Sequence, residues 1–212
     1  DFIPYTAAGW YSPFVPRPAN DGTGASVPAP TLLNGDVAGT YFNFGDINQS
    51  PTGAPSLYQQ AYEDGEYKWW MAWGAYGPGA VGLFNWNAAW TVRGGRHTLS
   101  TILDPNAEQE EIWENNNAFG EQWVWKPSTL AFNTSTLRGS PSDKTGGWDH
   151  GTTGSVYWNC DALRTPVFSS SNGWWCALAT MPTDATSDFD PRLHELSTGA
   201  KDGFTTPLVQ SY

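Results

Sequence analysis

The residues with the clearest chemical potential lie between 104 and 117. Asp104-Pro105-Asn106 closes a strand-like run, and Glu111, Glu114, Asn116 and Asn117 follow closely. Carboxylates and amide carbonyls gathered in one loop are hard oxygen donors, the set that a calcium ion takes. Asp104, Asn106, Glu114 and Asn116 are therefore candidate calcium ligands, although their spacing is not that of an EF-hand loop. No other cofactor is indicated. The competing chemistry is structural. Pro105 cannot donate to a sheet ladder, so the strand ends at Asp104. Asx and Glu side chains can then accept from the loop's backbone N–H groups. On that reading Asp104, Asn106, Glu114, Asn116 and Asn117 staple the loop shut.

Catalysis finds little footing. His97, His150 and His194 are the three histidines. None accompanies a G-x-S-x-G nucleophile motif, and Trp148-Asp149-His150-Gly151 reads as a solvated loop. Glu110, Glu111, Glu114 and Glu121 are the carboxylates that could serve glycoside hydrolysis. Adjacency in a turn is a poor way to set two of them across a sugar ring. The expectation is a protein that is not an enzyme. Cys160 and Cys176 lie 16 residues apart with β-like sequence around them. In an exported chain they read as one disulfide, worth roughly 3 kcal/mol for a loop of that size. A zinc site would need further Cys or suitably spaced His.

The tryptophans are a second source of function. There are 13, several in adjacent pairs. Successive strand side chains point to opposite faces, so one ring of each pair must face outward. Trp69, Trp70, Trp174 and Trp175 are thus a candidate binding surface. An exposed aromatic ring suits a protein interface or a sugar face.

The formal net charge is −11, and the ten Lys and Arg are scattered. Both facts argue against nucleic acid and against an anionic membrane surface. No apolar run is long enough to span a bilayer. Charged residues make up only 15% of the chain, so Asn, Ser, Thr and Gly carry the solubility. That composition points to a secreted, extracellular or cell-surface protein. The chain begins at Asp1 without Met, as a mature or trimmed product would.

These residues need a scaffold, and its elements read as strands. The 23 glycines and 16 prolines supply turns, and the aromatic surplus favours strands. Strand signals fall at 40–44, 56–62, 66–73, 81–92, 97–103 and 119–125. The segment 81–92 reads as a strand pair or as one bent strand. No helix is persuasive, 108–117 being the best candidate and lacking an apolar face. The fold class is all-β: an immunoglobulin-like sandwich followed by a smaller, incomplete β-sandwich or jelly-roll segment. Residues 1–36 read as an extended Pro-rich segment packed on the first domain through Trp10, Tyr11 and Phe14. Residues 37–127 form that domain, 128–147 a linker, and 148–212 a partial second β domain.

The first half resembles the bacterial cell-adhesion-related domain, CARDB, an immunoglobulin-like module. The resemblance spans roughly residues 9–126. Its early part is Asn43-Phe44-Gly45-Asp46 and the alternating run Leu57 to Gly65. Its stronger part is Gly95, the strand His97 to Leu103, Asp104-Pro105, and then Glu111, Glu114, Asn116 and Asn117. Trp113 stands where the family usually has Asn. In the second half, Ser187-Asp188-Phe189-Asp190-Pro191-Arg192-Leu193 resembles the opening strand of a prepeptidase-type jelly-roll module, with Pro191 replacing the usual Leu. These resemblances imply a non-catalytic extracellular module for adhesion or assembly, part of a larger exported or cell-surface protein. Its partners would be other protein chains, either fragments of the same precursor or further copies. The alternative is a carbohydrate-binding module that accompanies a secreted enzyme.

Overall fold

The computed structural model describes residues 1–129 except 21, 23–25, 29–31 and 38, together with 160–161, 192–193 and 209–210. Nine strands lie in the first 129 residues: β1 (Phe2–Pro4), β2 (Phe14–Arg17), β3 (Leu33–Asn34), β4 (Thr40–Asn48), β5 (Leu57–Glu63), β6 (Glu66–Trp73), β7 (Val81–Trp90), β8 (Gly95–Leu103) and β9 (Ala118–Lys126). No helix occurs among the described residues, and 108–117 is an irregular loop of bends with one turn at 114–115. The segment 81–92 is a single strand rather than a pair.

The strands form two sheets that pack face to face. In the first, β4 is central. It pairs antiparallel with β7 on one edge and with β1 and β2 in succession on the other. Pro4 and Pro16 sit in those outer strands, where a missing N–H costs the ladder nothing. The chain leaves the sheet between β1 and β2 at Gly45, which accepts from the Tyr5 N–H and donates to the Pro13 carbonyl. A Cβ at Gly45 would collide with the Tyr5 carbonyl. The strand continues past that point to Asn48, so Asp46 lies within β4 and does not end it.

The second sheet runs β3-β9-β8-β5-β6, with β3 parallel to β9 and the other pairs antiparallel. Asp64 and Gly65 join β5 to β6, both with left-handed backbones (φ 53° and 79°). That is the two-residue Asp-Gly hairpin whose twist matches the strands. Further on, Cys160–Asp161 pairs with Gly95 and Arg96 of β8, and Arg192–Leu193 pairs with Val209–Gln210.

Between the sheets Phe14, Phe42 and Phe44 meet Trp69, Leu99, Trp123 and Trp125. Trp69 stacks on Trp86 (4.6 Å, 7°) and presents an edge to Phe44. Burying each such ring contributes about 1.5–3 kcal/mol. Trp10 and Phe14 are buried with them, while Tyr11 is half exposed and packs edge-on against Trp123. A smaller cluster of Phe2, Ala54, Leu57, Tyr76 and Leu103 fills one end.

Candidate functional site

Among the described residues, three places hold polar or exposed groups that could act: the loop after β8, a buried cluster at the β5–β6 turn, and the outer face of the β5–β6 hairpin.

The loop is organised from Asp104, whose backbone is left-handed (φ 45°). One carboxylate oxygen accepts from the Glu108 N–H at 2.9 Å and the other from the Gln109 N–H at 2.8 Å. Asn106 donates to Glu108 at 3.3 Å, and Glu114 accepts from the Glu111 N–H at 3.0 Å. Glu111 in turn takes the Phe2 N–H at 2.6 Å and the Asn117 amide at 2.8 Å. Its carboxyl is raised by burial, an effect that the Phe2 and Asn117 bonds offset in part. The loop thereby ties the N-terminus to the β8–β9 connection. Of the four candidate calcium ligands, Asp104 and Glu114 line a shallow cavity of about 250 Å³, whereas Asn106 and Asn116 are not in its wall.

The second place was not legible as a site. Glu63, Asp64 and His97 are buried with donor atoms all within 4.8 Å of one another. Asp64 accepts the Thr98 N–H at 2.8 Å through one oxygen and meets His97 Nδ1 at 2.6 Å through the other. Its own N–H donates to the Thr98 carbonyl at 2.8 Å. Glu63 accepts from the Trp90 indole at 2.9 Å, and the Lys68 ammonium stands 3.4 Å away. Burial pushes the Glu63 carboxyl up, while His97 and Lys68 draw it back down. A cation would fit such donors only by displacing bonds already made, against a resident ammonium. The set is therefore a clasp that fastens the hairpin to β8 and, through Trp90, to the opposite sheet. The Asp-Gly pair gave a signal for the turn. Nothing local to 63–65 pointed to His97, some thirty positions on.

The third place bears on the tryptophan surface. Trp69 is corrected: it is 6% exposed and belongs to the core, because its strand position faces the other sheet. Its neighbour Trp70 is 54% exposed, as alternation requires. Trp70 lies 5.8 Å from Tyr58, and Tyr67 lies edge-on to Tyr62 at 6.0 Å. A further exposed pair, Ile112 and Trp113, sits on the loop after β8. Trp174, Trp175, Cys176, His150 and His194 lie outside the described residues. The expected Cys160–Cys176 disulfide therefore lies outside them as well. The described part of the expected jelly-roll motif is the Arg192–Leu193 strand.

No family model matches the chain, and no curated protein matches it. Solved structures do. The chain is similar to the CARDB domain of a Pyrococcus furiosus protein in complex with di-metal ions, at 14% identity and a TM-score of 0.43 over 60% of this chain and 94% of that one. It is similar to a solution structure of the CARDB domain from the same organism, at 19% identity and 0.40 over 46% and 87%. A domain of a Methanosarcina acetivorans protein described as a cell surface protein matches at 16% identity and 0.39 over 59% and 90%. The all-β sandwich itself is read from the strands and their pairing. No helix among the described residues is long and apolar enough to cross a membrane.

Proposed function

We propose that the chain is a non-catalytic extracellular module for adhesion or assembly, and that it meets a polypeptide partner along the outer face and edge of the β5–β6 hairpin. The observation that carries this is the exposure of Trp70 beside Tyr58 and Tyr67. Among the described residues β6 is also the last strand of its sheet. An edge strand offers unpaired N–H and C=O groups. A polypeptide satisfies them while covering the rings. A sugar would use the rings alone. The partner is another chain of the same assembly, either a copy or a fragment of the same precursor. The low charge content and the Asn, Ser, Thr and Gly surface support an extracellular setting. That setting calls for the Cys160–Cys176 disulfide, which a mass shift after reduction and alkylation would reveal.

Light scattering coupled to size exclusion on native material tests the reading. The expected result is an assembly that Trp70→Ala weakens at least tenfold. A monomer unaffected by Trp70→Ala, with retention on insoluble polysaccharide that the variant abolishes, would overturn it in favour of carbohydrate binding.

A further inference from the structure

We propose that Asp46 and Tyr76 form a proton-operated latch, which holds the β6–β7 connection against the end of the sandwich and loosens it when Asp46 ionises. Asp46 is fully buried on the central strand β4. The Tyr76 hydroxyl donates to its Oδ1, while its Oδ2 has no hydrogen-bond partner. The backbone of Asp46 is paired on both sides, with Pro4, which carries no N–H, and with Gly82, whose N–H also acts on the Asp46 carboxyl. Gly82 leaves the room that the contact needs, since a Cβ there would collide with the Tyr76 hydroxyl. Tyr76 is the titratable side chain that touches Asp46 among the described residues. The charged groups on the β1 side, Asp1 and Glu111, engage each other's segments instead.

The element held by the latch is slender. Residues 74–80 read Gly-Ala-Tyr-Gly-Pro-Gly-Ala. They are fastened by the Ala54–Tyr76 backbone pair, by Asn48 Nδ2 to the carbonyls of Tyr76 and Gly77, and by the Gly79 N–H to the Asn48 carbonyl. The Asn48 N–H also donates to the Ala80 carbonyl, and the Tyr76 ring is seated edge-on to Phe2 in the smaller apolar cluster. An ionised carboxylate with one bare oxygen in that setting is costly, and a protonated one much less so. Burial accordingly pushes Asp46 from 3.8 up to about 7, the Tyr76 hydroxyl and the Gly82 N–H offsetting only part. In the opened loop the carboxyl would titrate near its ordinary value. The closed latch is therefore firmest below pH ~4. It loosens as pH rises through about 7 and levels off above.

Amide hydrogen exchange at Ala54 and Tyr76, normalised for the intrinsic rate, tests this in the full chain. Protection at both should fall at least tenfold between pH 5 and pH 8, while Leu99 in the main core does not follow. Asp46→Asn should flatten the dependence. Tyr76→Phe keeps the ring but removes the donor that draws the carboxyl down, so the levelling-off moves to higher pH. A wild-type protection that ignores pH, or an Asp46→Asn variant with the same slope, overturns the proposal. Should that variant not fold, a wild-type Asp46 carboxyl resonance titrating near pH 4 overturns it equally.

Discussion

Asp64 and Asp46 are buried in the same sandwich, but one carboxylate is fully bonded and the other half bare. The difference follows from where each stands relative to the ladders. Asp64 sits at a hairpin turn, just past the last β5–β8 pair, Glu63 with Leu99. There the Thr98 N–H is left over by β5, and Asp64 takes it. Asp46 sits in the middle of a strand paired on both edges, where Pro4 offers no N–H and Gly82 is held in the ladder, so no donor is left for its second oxygen. A buried carboxylate is therefore comfortable at the end of a sheet, where orphan N–H groups occur. In the interior of a central strand its easiest state is the neutral acid.

Replacing each aspartate should separate the two environments. The largest effect that does not depend on pH belongs to Asp64→Ala, which removes the carboxylate bonded to His97 and the Thr98 N–H. It should cost about 3 kcal/mol in urea unfolding, in line with breaking a buried pair. A loss under about 1 kcal/mol would mean that the clasp is incidental. Next comes Asp46→Asn, with the opposite sign at high pH. The folded-state value is raised, so the contribution of Asp46 is full below pH ~4 and is lost as pH climbs through about 7. The shift from 3.8 to about 7 bounds that loss at about 4 kcal/mol. At pH 8 the variant should melt higher than wild type, and near pH 4 the two should coincide. Thermal unfolding at both pH values would show it, and a pH-independent difference would refute the contrast.

Two smaller effects extend the comparison to the loop and the surface. Asp104 resembles Asp64 in having both oxygens satisfied, but by local N–H groups of an exposed loop. Asp104→Ala should cost about 1–2 kcal/mol, with Asp104→Asn recovering part of it. If added calcium raises the melting temperature of the wild type but not of Asp104→Ala, the loop is a cation site as well as a staple. Trp70→Ala should change folding stability by no more than about 0.5 kcal/mol, because the ring is exposed. Its effect should appear in association alone.

Much of the scaffold was legible because it is written locally. The run 66–73 matches β6 end to end, and Asp64-Gly65 announces its turn. The Trp69-Trp70 pair showed that one ring points out, but alternation alone does not say which. That choice rests on register with Ala61 and Gln60 across the hairpin. Likewise the strand signal at 40–44 stopped short of Asp46. Only the pairing of β1 and β7 on its flanks shows that the strand runs on. The loop at 104–117 was read both as a calcium site and as a staple. Its hydrogen bonds describe a staple, whose reach to Phe2 no spacing could have disclosed.

What the sequence determined by itself is what short-range physics controls: the strand periodicity, the Asp-Gly and Asp-Pro stops, the all-β class and the surplus of rings that one core cannot hide. What the tertiary structure decided is which polar groups meet. His97 reaches Asp64, Tyr76 reaches Asp46 and Trp90 reaches Glu63 across 33, 30 and 27 positions. Such contacts depend on sheet order and register. Those are set by the packing of the whole sandwich and leave no periodic trace in the chain.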